Sequence, residues 1–116
     1  MARYTSLFTI AIQSDSFPGL LAELLESCNL RVVYDTGDYL MARELPGEVS
    51  YAQLVTVEIL IDKLPEALDA PITMNFVVKN EELPLKRDNH CRRMFNLVNQ
   101  AIMENHRWHL MESVAS

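Results

Sequence analysis

The stretch KRDNHCRRMFNLVNQAIMENHRWH holds all three histidines, one of the two cysteines and five of the ten basic residues of the chain. Histidine and cysteine in one short segment suggest either a metal site or a thiol nucleophile. Both can be judged by spacing. On one straight helix His90 and His106 stand about 24 Å apart. Zinc ligands must converge around a single ion with bonds of about 2 Å, so His90, Cys91 and His106 form no common site on such a helix. His106 and His109 are three residues apart and can share an ion, with Glu112 the nearest third ligand. The expectation is no metal and no cofactor.

A Cys–His pair fails on direction. His90 and Cys91 are neighbours, and on a helix their side chains diverge by about 100°. A catalytic thiol needs a base within hydrogen-bond reach. No serine sits in a G-x-S-x-G elbow, and three glycines are too few for a phosphate-cradling loop. The acidic pairs Asp35/Asp38 and Glu81/Glu82 fall in turn-like stretches, where solvated charge is the ordinary state. No catalytic residue is assigned.

Charge gives a sharper signal. Lys86, Arg87, Arg92 and Arg93 cluster around a helix start, where the backbone N–H groups and the dipole favour negative charge. An anion accepting those N–H groups between guanidinium groups would reconcile the arrangement. The alternative is that Arg92 and Arg93 pair with Glu81, Glu82 or another acidic group of the same chain. Further on, Trp108, Leu110 and Met111 fall on several helix faces if the helix continues through them. They are the candidate interface residues.

These side chains need elements to hold them. In YTSLFTIAI, Phe8, Ile10 and Ile12 alternate with Thr9 and Ala11 as in a half-buried strand. After SDSFPG, residues Leu20, Leu21, Leu24, Leu25 and Cys28 recur at helical spacing, and Asn29 offers a left-handed stop. LRVVYD and YLMARE flank Thr36-Gly37-Asp38 as a hairpin, with Gly37 supplying a positive φ. YAQLVTVEILID reads as one long strand carrying Tyr51, Val55, Val57, Ile59 and Ile61 on one face. ITMNFVVK is the next strand. The last helix starts near Asp88 or Asn89 and carries Cys91, Met94, Phe95, Val98, Ala101, Ile102 and Asn105 on one stripe.

The order is strand, helix, four strands, helix. It predicts an α+β domain spanning 1–116, in which one mostly antiparallel five-stranded sheet carries two helices on one face. The first strand–helix–strand unit suggests one parallel pair.

A chain of 116 residues with 49 % hydrophobic and 22 % charged side chains has globular composition. Its net charge of −6 disfavours nucleic acid and anionic lipid. The charge is uneven: residues 1–85 hold 5 basic and 13 acidic side chains, whereas residues 86–116 hold 5 basic and 3 acidic. Two cysteines in helical patterns make no disulfide framework and suit a reducing cytoplasm.

DSFPGLLAELLESCNLRVV resembles the opening of an ACT-type regulatory domain through Asp15, Pro18, Gly19, Leu21 and Asn29. The resemblance implies a ferredoxin-like sheet that binds a small metabolite at a dimer interface. Phe17 departs from the pattern, and two more strands follow the hairpin than it requires. Size, acidity and element order also resemble secretion-chaperone-like adaptors. The reading is therefore a small protein-interaction or adaptor module without catalysis, expected to homodimerise and to bind a protein partner. An ACT-like metabolite domain, or an anion site at the last helix start, is the alternative.

Overall fold

The computed structural model describes residues 1–12, 16–47, 49–63, 71–83, 89–105 and 108–115, except for the side chains of Lys63, His109, Glu112 and Ala115. The elements are β1 (Ala2–Ala11), α1 (Phe17–Ser27), β2 (Leu30–Asp35), β3 (Tyr39–Glu44), β4 (Thr56–Lys63), β5 (Ile72–Asn80), α2 (His90–Glu104) and β6 (His109–Ala115). The strands form one sheet in the order β2-β3-β4-β5-β1-β6, and every neighbouring pair is antiparallel. The α+β class stands, with six described strands in place of five.

Alternation in the strands decides which face is covered. Phe8, Ile10, Leu40, Ala42, Val57, Ile59, Met74 and Phe76 point to one side and are buried. Leu21 and Leu25 of α1 and Phe95, Val98 and Ile102 of α2 complete that core. Two short apolar stripes, one per helix, thus find their surface on a single sheet face. The alternate strand positions line the other face, which carries neither described helix and holds mainly Thr, Asn and charged side chains, as antiparallel sheets allow. No described helix is long and apolar enough to cross a membrane.

Local signals act as their chemistry suggests. Asn29 adopts φ 64° behind α1, and Gly37 adopts φ 91° in the β2–β3 hairpin. There Asp35 Oδ1 accepts the Gly37 N–H at 2.8 Å.

Three expectations change. First, no pair of the described strands is parallel. β1 and β2 run in the same direction, but β3, β4 and β5 lie between them, because α1 carries the chain to the far edge and the meander returns strand by strand. Second, Tyr51 does not begin a strand. Residues Tyr51–Gln53 form a 3₁₀ turn, in which Gln53 Oε1 accepts from the Ser50 N–H at 3.2 Å and the Ser50 hydroxyl at 3.0 Å. Third, the last helix stops at Glu104. Asn105 is extended (φ −70°, ψ 119°), and the chain returns as β6 beside β1. Leu110, Met111 and Val114 scatter over helix faces because their true period is two. With β6 in place, the order β-α-β-β-α-β of a ferredoxin-like sheet is approached, its central hairpin widened to a four-strand meander.

Candidate functional site

The start of α2 keeps an anion of its own. Glu82 Oε1 accepts the Cys91 N–H at 2.9 Å, and Glu82 Oε2 accepts the His90 N–H at 3.4 Å. The Asn89 side chain accepts the Arg92 N–H at 2.7 Å, and the Arg93 N–H reaches the Asn89 carbonyl. Three of the four donors that a helix start leaves open, the N–H groups of His90, Cys91 and Arg92, are thereby filled. Burial alone would raise the Glu82 carboxyl, but hydrogen bonds from Asn80, the Cys91 and His90 N–H groups and Gln53 outweigh it and hold the group below its usual range. Arg92 lies over the Tyr4 ring, 5.4 Å from its centre. Arg92 and Arg93 are both exposed. Lys86 and Arg87 lie outside the described residues. An external anion here would be held by side chains alone.

His90 is tied down. Its Nε2 lies 2.8 Å and 3.0 Å from the two carboxylate oxygens of Glu44. Glu44, only 6 % exposed, also accepts the Val55 N–H at 3.1 Å. A buried carboxylate requires such partners, and this one latches the first turn of α2 to β3. Among the described residues the His90 ring bonds nothing else, so no nucleophile stands beside it. Cys91 turns into the core, where its thiol donates to the Val78 carbonyl at 3.4 Å. Burial, with Glu82 nearby, pushes that thiol up to about 12. Cys28 is also buried and raised by desolvation. Neither sulfur is poised as a thiolate.

Among the described residues no three His, Cys, Asp or Glu side chains converge as a metal group would. His106 and the side chains of His109 and Glu112 fall outside them. The end of α2 at Glu104 also removes the straight helix on which the His90–His106 separation was reckoned.

The three interface candidates separate. Trp108 is buried; its Nε1–H donates to the Ile102 carbonyl at 3.0 Å, and its ring meets Phe17 at 6.2 Å. Leu110 is partly buried against the core. Met111, 54 % exposed, sits where the β1–β6 register shifts.

The strand register assembles something else on the open face. Arg31 pairs with Arg43, Arg43 with Thr56, Thr56 with Lys79 and Lys79 with Arg3. Four of the five basic residues in 1–85 therefore stand in one row across five strands, about 5 Å apart from strand to strand. Lys79 forms an ion pair with Glu58. The Lys79 ammonium and the Tyr39 hydroxyl, which donates to Glu58 at 2.9 Å, hold the Glu58 carboxyl below its usual range. Arg31 and Arg43 form no ion pair with a described residue.

Arg31, Arg43 and Lys79 line a cleft of about 440 Å³ at this end of the sheet. Thr56 lies in the same row, and Val33, Leu45, Leu54 and Tyr51 add apolar surface. Tyr51 is 84 % exposed. Glu81 is the one exposed acid among the described lining residues. The strands display their odd-numbered cations in the sequence, but which strands are neighbours is not written there, so the row stays invisible.

No protein-family model, curated protein or solved structure matches the chain.

Proposed function

We propose that the chain is a small protein-interaction module without catalytic chemistry, and that it engages an acidic segment of its partner through the open-face cleft. One observation carries this reading. Arg31 and Arg43 face each other across adjacent strands with no described carboxylate paired to either, in a chain of net charge −6. Like charges directly opposite destabilise a sheet. Such a cost is tolerated where a partner removes it. Among the described side chains the open face and its cleft carry four cations, Arg3, Arg31, Arg43 and Lys79, against three acids, Glu58, Asp62 and Glu81. They attract acids while the rest of the molecule repels them. The free, buried thiols suit a reducing compartment such as the cytoplasm.

The experiment is an NMR titration with a peptide of alternating Glu and Ser. Shifts centred on Arg31, Arg43 and Thr56, weakened by salt and lost in Arg31→Glu and Arg43→Glu, are expected. Shifts confined to other surfaces, or unchanged by charge reversal, overturn the proposal. The ACT-like alternative is less well supported. The hollow beside Pro18 and Leu21 measures about 50 Å³, below the range of ligand pockets, and Asp15 lies outside the described residues.

Self-association is a second part of the reading. β6 is a sheet edge with exposed Met111 and Val114. A two-fold antiparallel pairing of β6 with its copy would cover both edges at once and leave the cleft open.

A further inference from the structure

We infer that the cleft selects an extended peptide in which an acidic residue and a large apolar one stand two positions apart. This rests on the acidic-partner reading and names the sequence that satisfies it. The layout of the two chemistries along the strands is the reason. Arg43 ends the open-face row on β3, and Leu45 stands two residues beyond it. Thr56 opens β4, and Leu54 stands two residues before it. Both steps lead from the cationic row to apolar wall in the same direction, because β3 and β4 are antiparallel. Row and wall are therefore one two-residue step apart, about 7 Å.

An extended peptide laid along the strands repeats its same-face side chains at that step. Its carboxylate then meets the Arg31–Arg43 pair while its apolar side chain meets Leu45, Leu54 and Tyr51. Acid and apolar residues that are adjacent, or three apart, point to opposite faces of the peptide and cannot use both parts of the cleft together. The carboxylate gains charge-assisted hydrogen bonds from donors that pair with no acid among the described residues. The apolar neighbour supplies what a free carboxylate lacks, since an exposed ion pair by itself contributes little. The same geometry explains why apolar residues crowd an otherwise charged end of the sheet.

Fluorescence anisotropy with labelled peptides in a Gly-Ser background tests this. The insertions are Glu-Ser-Phe, Glu-Phe-Ser, Glu-Ser-Ser-Phe, Glu-Ser-Ser and phosphoserine-Ser-Ser. Glu-Ser-Phe is expected to bind at least about tenfold more tightly than the rest. Arg43→Glu and Arg31→Glu should abolish binding of every peptide. Leu45→Ser with Tyr51→Ser should bring Glu-Ser-Phe down to the level of Glu-Ser-Ser. All four sites are exposed, and melting curves matching wild type establish that the variants fold. Equal binding by all the glutamate peptides overturns the selectivity and leaves the acidic-partner reading intact. Preference for the phosphoserine peptide replaces the apolar requirement with a phosphoryl one and overturns it as well. Binding by none of them, in folded protein at low salt, overturns both.

Discussion

Arg31 and Arg43 are held opposite each other by backbone register, so their repulsion is built into the fold. Replacing Arg43 by threonine removes the repulsion and places a strand-favouring residue at an exposed strand position. The variant should be more stable by up to about 1 kcal/mol in urea melts, and it should bind the acidic peptide less well. A loss of stability would show that Arg43 has a structural partner. Glu82 makes the opposite case, a charge the fold needs. Its carboxyl is held below its usual range, so its stabilisation is present above about pH 4.3. That stabilisation is lost as pH falls through the lower folded value. Glu82→Gln should cost about 1 kcal/mol at pH 7. The two proteins should converge in acid, once Glu82 itself is protonated. A gap that persists at pH 2.5 would assign the loss to packing.

At the level of elements, α2 is fastened at three points. Glu82 and Asn89 fill its first turn, Ser6 donates to Asn99 Oδ1 at 3.0 Å in its middle, and Trp108 closes its end. Between them Phe95 stacks on Tyr4 at 5.5 Å and is buried. Phe95→Ala should cost about 3 to 5 kcal/mol. Gln100 is exposed and, among the described residues, bonds only Glu104, four residues on, so Gln100→Ala should change stability by less than about 0.5 kcal/mol. Denaturant melts compare the two, and equal losses would contradict the buried face described above.

At the scale of the whole molecule, the two sheet faces do different work. One is dry and bears both helices; the other displays charge. Both edges carry a register shift, near Val33 in β2 and at Met111 in β6, but β2 also shows exposed Arg31 and Asp35 whereas β6 exposes Met111 and Val114. Charged side chains discourage strand addition, and β6 is therefore the edge we propose for self-association. Sedimentation equilibrium at micromolar concentration should give twice the 13.3 kDa chain mass. Met111→Glu should shift it toward monomer. Trp108 is unsuitable for this test because it is core. A monomeric wild type would remove the dimer and leave the cleft proposal standing.

The amino-acid sequence by itself determined what is local. Alternation in Phe8-Thr9-Ile10 and in Ile72-Thr73-Met74 makes strands whatever their neighbours. The stripe from Cys91 to Ile102 makes an amphipathic helix, and Asn29 and Gly37 accept the backbone angles that few other residues tolerate. Where a segment was bistable, tertiary packing chose. Trp108 to Val114 has apolar residues enough for either period, and only the open edge of β1 turns it into a strand. YAQ continues a strand pattern, but Ser50 and Gln53 close it into a turn. The candidate site belongs wholly to the second class. Arg3, Arg31, Arg43 and Lys79 are distant in the chain and become one row only through five-strand register, as Glu44 meets His90 only when β3 and α2 pack. A charge pattern along one strand fixes its face; the energy that fixes its neighbours comes from the shared core beneath, which no single segment contains.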